Sequence, residues 1–215
     1  MSWALDHIGQ ILTLAGQHAY LAGVPLLIGL LIALPLGWLA RRYPQLYLPL
    51  IVGTGLLYTI PSLALFILMP LVIGTKILDP LNVVVAMTIY TVALLVRTVA
   101  DGLGSVPDVV NQAATAMGYN RIARFFTVEL PLAVPVIAAG LRVAAVSNVS
   151  VVSVASLVGV SQLGYFLTDG YQRGFATELV VGIVSCIALA LVFDGLIVLA
   201  GRVMTPWQRV GGVTR

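Results

Sequence analysis

Five long apolar runs dominate this chain, and they fix what it can become. A helix needs roughly 20 residues to cross a bilayer, at about 1.5 Å of rise per residue. Runs of that order lie near 19–40, 46–73, 82–100, 132–158 and 178–201. Inside a bilayer every backbone polar group must be bonded within the protein, so the runs are read as helices and the fold class as all-α. Charged residues make up 9% of the 215 positions, against about 25% in a soluble domain. The chain is therefore an integral membrane protein, read as a single transmembrane domain over 1–215. The second run is too long for one upright helix and too short for two crossings and a turn. Pro49, Pro61 and Pro70 punctuate it, so one tilted or broken span is expected.

Charge placement tests that count. With five crossings Arg41, Arg42, Arg121, Arg124, Arg202, Arg209 and Arg215 share one face, while Lys76 and Arg173 lie in loops on the other. The positive-inside rule makes the basic face cytoplasmic and puts the N-terminus outside, in a cytoplasmic (inner) membrane. Splitting the second run in two would separate Arg41 and Arg42 from Arg121 and Arg124. The N-terminus lacks a basic start and a small-residue cleavage site, and reads as uncleaved. A net charge of +3 is too small to point to nucleic acid. The lone Cys186 excludes a disulfide framework, and no ligand cluster suggests a metal. His7 and His18 flank the first span, where solvated or interfacial roles are expected.

One stretch is kept out of the bilayer, the cytoplasmic insert at 102–131. Ser105 and Asp108 are spaced as a capping box, with Pro107 in the first turn. Val109, Val110, Ala113, Ala114 and Met117 recur at helical spacing, and Gly118 supplies a C′ residue that tolerates positive φ. Asn120 can cap a second short helix bearing Ile122, Phe125, Phe126 and Val128, which Pro131 ends or redirects. The expected result is a helix–turn–helix, either projecting as an interaction surface or packed back on its own bundle.

The insert resembles the signature of ABC importer permease subunits, EAA, three residues, Gly, nine residues, Ile, one residue, Leu-Pro. Here Gln112-Ala113-Ala114, Gly118, Val128 and Leu130-Pro131 keep every spacing, with Gln for Glu at the first position. The resemblance implies a five-span type I importer permease in a bacterial or archaeal membrane, with the elbow as the coupling helix that docks on an ATP-hydrolysing subunit. Gln112, Ala113, Ala114, Gly118, Tyr119 and Arg121 would carry that coupling. Ala113 and Ala114 would allow close approach to the partner, and Phe125 and Phe126 would anchor the elbow to its bundle. It further implies a dimer of ATPase subunits, a second identical or homologous permease, an extracellular solute-binding protein and contact with membrane lipid. No P-loop G-x-x-x-x-G-K-[ST] occurs, and the one lysine, Lys76, sits in "VIGTKIL". The chain is not expected to be an enzyme or to hold a cofactor; ATP and Mg would belong to the partner.

Within that family "YTIPSLALFILMPLVIG" at 58–74 and "LLVRTVADGLGSVP" at 94–107 are similar to osmoprotectant permeases, for glycine betaine, choline, carnitine or proline. "LVGVSQLGYFLTDGY" at 157–171 resembles an outer loop of pattern G-x-G-G-L-G, but Ser161 and Gln162 stand where glycines are expected. A solute path is sought at Tyr58, Pro61, Ser62, Asn148, Ser150 and Ser153. Pro61 frees a carbonyl at mid-span, as in broken helices that mark solute paths, or it is a packing kink. Ser147, Ser150, Ser153 and Ser156 with Asn148 form a polar strip, for which helix packing is the favoured reading. Tyr58, Tyr90 and Trp38 look scattered, with no aromatic cage legible. Arg142 and Asp194 count to similar depths and are expected to form a structural ion pair between the last two spans. Arg97 is expected to snorkel to the interface. The alternatives are a permease for methionine or another small amino acid, and an ion-coupled secondary transporter using Asp194 and Glu178.

Overall fold

The computed structural model describes residues 2–207; Arg209 and Arg215 of the basic set lie outside them. In chain order the helices are α1 (Ser2–Asp6), α2 (Ile8–Arg42), α3 (Pro44–Tyr58), α4 (Ser62–Ile73), α5 (Pro80–Gly104), α6 (Asp108–Ala116) and α7 (Arg121–Arg124). A π turn (Phe125–Glu129), α8 (Leu130–Val152), a 3₁₀ turn (Ser153–Val158), α9 (Gly164–Gln172) and α10 (Ala176–Met204) complete them. No strand occurs among the described residues.

The centre of the bundle is α5, which packs against α2, α3, α4 and α8. Its start is fixed by Asp79, whose carboxylate accepts the Leu81 N–H at 2.9 Å, with Pro80 in the first turn. Gly29 of α2 faces Thr91 of α5, Gly37 faces Val99, and Arg41 lies against Gly104. Both numbers rise together, so α2 and α5 run parallel. The chain between them must therefore cross the membrane once in return. It does so as α3 and α4, bent by 100° at 59–61 into one broken span. The crossings number five, as the charge pattern requires.

Close approach along α2 and α5 depends on small residues. Gly29, Ala33 and Gly37 form a seam at helical spacing. A Cβ on Gly29 would lie 2.5 Å from Thr91, and one on Gly37 2.6 Å from Val99. Two apolar clusters stack along the bundle. One, nearer the elbow, gathers Leu26, Ala33, Val99, Ile137 and Ala144; the other gathers Leu21, Phe66, Met87, Tyr90 and Val152. By contrast α10 leaves Leu191, Val192, Leu196 and Leu199 exposed, a face suited to lipid.

Several local expectations need correction. The helix of the first span, α2, begins at Ile8, ahead of the apolar run near 19–40, because its first turns bury Leu14 against Leu163 and Phe166. Ser105 and Asp108 form no capping box: the Ser105 hydroxyl donates to the nearer Gly102 carbonyl at 2.7 Å, and α6 has no side-chain cap. Pro131 ends nothing. It lacks the N–H that would bond Thr127 and its ring presses on that carbonyl, so the preceding turn widens and Leu130 N–H reaches back to Phe125. The second arm of the elbow thus runs without a break into the fourth span, Arg121–Val158. The loop expected at 157–171 is largely helical, since α9 runs Gly164–Gln172.

Candidate functional site

The elbow is built at the end of the bundle where α2 and α5 finish. Its turn is a complete Schellman motif: Gly118 stands at φ +87°, its N–H donates to Thr115 O at 3.0 Å, and Tyr119 N–H donates to Ala114 O at 3.1 Å. Asn120 then caps α7, accepting the Ala123 N–H at 2.9 Å. Arg124 ties the two arms together. Its Nη1 donates to Thr115 Oγ1 at 2.9 Å and its Nε to Glu129 at 2.7 Å. Arg41 reaches Asp108 at 3.8 Å, joining α6 to the end of α2.

The periodic apolar set of α6 divides into two faces. Ala114 is buried and Val110 half-buried, next to the buried Val106 just ahead of the helix. Gln112, Ala113, Met117, Tyr119, Arg121 and Ile122 are exposed, as is Val109. Ala114 therefore serves packing inside the elbow, whereas Ala113 lies open to a partner. Only one of the two phenylalanines anchors: Phe125 packs edge-on to Trp38 at 6.2 Å, while Phe126 is exposed.

At the break of the second span the freed carbonyl of Ile60 takes the Tyr90 hydroxyl as donor. The Tyr58 ring meets Tyr90 edge-to-face at 5.5 Å, and the Tyr58 hydroxyl lies 3.2 Å from Ser147 Oγ. Tyr58 and Tyr90 are thus not scattered, since the 100° bend brings one onto the other; Trp38 stands apart beside Phe125. Pro61 caps α4, its carbonyl accepting the Leu65 N–H at 3.1 Å, and Ser62 follows half-buried. Ser150 is exposed on α8, and the Ser153 hydroxyl donates to its carbonyl at 2.6 Å. Asn148 is turned inward. It is buried, and its Nδ2 donates to Thr91 Oγ1 at 2.9 Å and to Ala22 O at 3.2 Å, so it braces α2, α5 and α8.

The charges that fall in apolar runs are paired. Arg142 grips both Asp194 oxygens, at 2.5 and 2.9 Å. Arg97 lies 3.7 Å from Asp101, one turn on. Beyond the bundle end, Arg173 donates to Glu178 at 2.7 Å and meets Asp169 at 2.9 Å; the bond to Glu178 raises the Arg173 guanidinium above its ordinary pKa. Both carboxylates on which an ion-coupled reading would rest are held by arginines. Two residues depart further from expectation. His18 is neither solvated nor interfacial but has no exposed surface, and its partner is Gln162, also fully buried. The one signal for Gln162 was its place in a pattern that otherwise has glycine.

This arrangement, five spans with a turn-linked elbow at the basic end, is that of importer permeases. The sequence matches the family described as binding-protein-dependent transport system inner membrane component over residues 26–209, and the chain belongs to that family. It is a transport subunit of the inner membrane, not an enzyme. It is similar to the osmoprotectant import permease protein OsmW of Salmonella typhimurium, 35% identical over 207 residues, covering 95% of this chain and 96% of the relative. The glycine betaine/carnitine/choline transport system permease protein OpuCB of Bacillus subtilis is 25% identical, over 96% of this chain and 94% of the relative. In fold the chain resembles an inward-facing structure of the MetNI methionine ABC transporter, with TM-score 0.82 and 20% identity, covering 93% of this chain and 98% of that one. At that identity the likeness is one of fold alone.

Proposed function

We propose that this chain is the membrane permease of an ATP-driven importer for small osmoprotectants, such as glycine betaine, choline, carnitine or proline. One observation carries the reading: the elbow holds its arms rigidly through Arg124 and Gly118 while leaving Ala113, Met117 and Ile122 uncovered, as a docking surface for a separate ATPase requires. The cargo is supported by the 35% identity to OsmW along nearly the whole chain. The chain works beside a second identical or homologous permease, because a dimeric ATPase presents two equivalent docking sites. ATP and Mg reside on those subunits, the N-terminus faces outward, and a soluble extracellular protein delivers the solute. Gln112, Ala113, Tyr119 and Arg121 make the docking contact, and closure of the ATPases moves the elbow and the fourth span together. At the broken span the Tyr58 ring offers a quaternary ammonium group an aromatic face without an acidic residue to trap it. Ser62, Ser150 and Ser153 line the route onward.

The test is uptake of labelled glycine betaine by proteoliposomes holding the permease, its ATPase and its binding protein. ATP-dependent uptake is expected. Preference for methionine would change the cargo, and uptake without the ATPase would overturn the coupling. In the same complex Ala113→Cys should cross-link to the ATPase and Ala114→Cys should not.

A further inference from the structure

The fourth span does not keep α geometry to its end. At Ser153 it tightens into the 3₁₀ turn, which Gly159 closes at φ +83°. Tightening moves backbone bonds from i→i−4 to i→i−3, so carbonyls at the junction lose their usual donors. The Ser156 hydroxyl, within the turn, donates to the Ser153 carbonyl at 2.9 Å, and two side chains from elsewhere in the fold add to it. His18 of α2 holds its Nε2 2.9 Å from the Val149 carbonyl, and Gln162 donates from Nε2 to the Ser153 carbonyl at 3.1 Å. The two are themselves joined, His18 Nδ1 and Gln162 Oε1 standing 2.9 Å apart, and the Gly164 N–H donates to that same oxygen. With an oxygen at each ring nitrogen, a neutral His18 donates to one of the two and the imidazolium to both. Gly164 approaches the Ser153 carbonyl so closely that no Cβ would fit there.

Three pieces of chain therefore meet at one point: the outer part of α2, the tip of the fourth span and the start of α9. Leu14, Leu163 and Phe166 wall the neighbourhood, so a polar group that lost its partner there would stay desolvated. The same turn packs against α4, the outer half of the broken span, through Ala155 and Phe66.

We infer that His18 and Gln162 are the positioning pair of the gate at the end remote from the elbow. They bind the Ser153–Val158 turn and the α9 loop to α2 as one body, and the turn is the hinge through which motion of the fourth span reaches that mouth. The inference rests on the transport reading above. Gln162, where the resemblance leads one to expect glycine, carries both the bond to Ser153 and the contact with His18.

The experiment uses the assembled transporter in nanodiscs, with Cys186→Ala and a reporter at Val160→Cys, a position only 5% exposed. Maleimide labelling of the reporter reads how often the turn lifts. His18→Leu and Gln162→Leu are expected to label about tenfold faster without nucleotide, the scale on which a lost buried hydrogen bond shifts a local opening. Uptake should fall in kcat with KM for the loaded binding protein kept. His18→Gln, which retains a donor for Val149, should restore slow labelling in part. Labelling of the leucine variants at the unmutated rate would overturn the inference. If those variants fail to assemble, Gln162→Gly, which removes both of its bonds, carries the same two outcomes. Resting labelling needs no cargo and no ATP turnover; loss of any nucleotide response in the unmutated chain would instead count against the transport reading.

Discussion

Gly37 meets α5 where a single added carbon has no room, since its Cβ would lie 2.6 Å from Val99. Gly37→Leu should destabilise the bundle by about 1–3 kcal/mol or more through overpacking, read as a lower thermal midpoint in detergent. Gly53→Ala, with nothing within 4 Å, should leave the midpoint unchanged. The pair Arg142–Asp194 makes a second test. Asp194→Ala strands a guanidinium among apolar helices and should lower yield and midpoint, whereas Arg142→Leu with Asp194→Leu should recover part of the loss. A double variant as damaged as the two single losses summed would mean that the groups are not coupled. The two residues could be matched from sequence because depth follows from counting rises along straight helices. Tyr58 with Tyr90, and His18 with Gln162, could not, because each contact is made by a bend or a break whose direction no period encodes.

Elements were legible where backbone chemistry marks their ends. Gly118 and Asn120 announced the elbow turn, and both act there as expected because positive φ and a free N–H have few other solutions. Gly118→Ala should cost about 1–2 kcal/mol from the left-handed conformation alone. Its checkable effect is a smaller stimulation of ATPase activity by the loaded binding protein, with Gly118→Asn milder than Gly118→Ala. Ser105 does not cap because α6 begins at Asp108 with Pro107 at its N-cap, which leaves Ser105 upstream of the N–H groups it would accept from. Its hydroxyl donates to Gly102 O instead. Pro131 was misread because a helix can absorb a missing N–H by widening one turn rather than stopping. The seam of Gly29, Ala33 and Gly37 stands in the sequence at a spacing of four, but inside an uninterrupted apolar run nothing marks it as a contact face.

For the whole molecule, five crossings follow from arginine placement, and the parallel run of α2 and α5 reaches the same number independently. The sidedness can be checked directly. In intact cells an impermeant thiol reagent should label Lys76→Cys and miss Met117→Cys, and inverted vesicles should reverse the pattern. Equal labelling of both from one side would refute the five-span topology. What sequence could not supply was the relation of the elbow to the bundle, since Pro131 suggested a joint where there is none.

That missing joint has a mechanical outcome. From Arg121 to Val158 the chain is one rod of 38 residues, on the order of 57 Å at about 1.5 Å per residue. The apolar part of the rod, 132–158, lies toward one tip and the elbow arm toward the other, so a pivot in the bilayer makes it a see-saw with an off-centre fulcrum. A push at Ile122, at the end of the long arm, reaches Ser153 with less travel and more force, and passes on through the 3₁₀ turn.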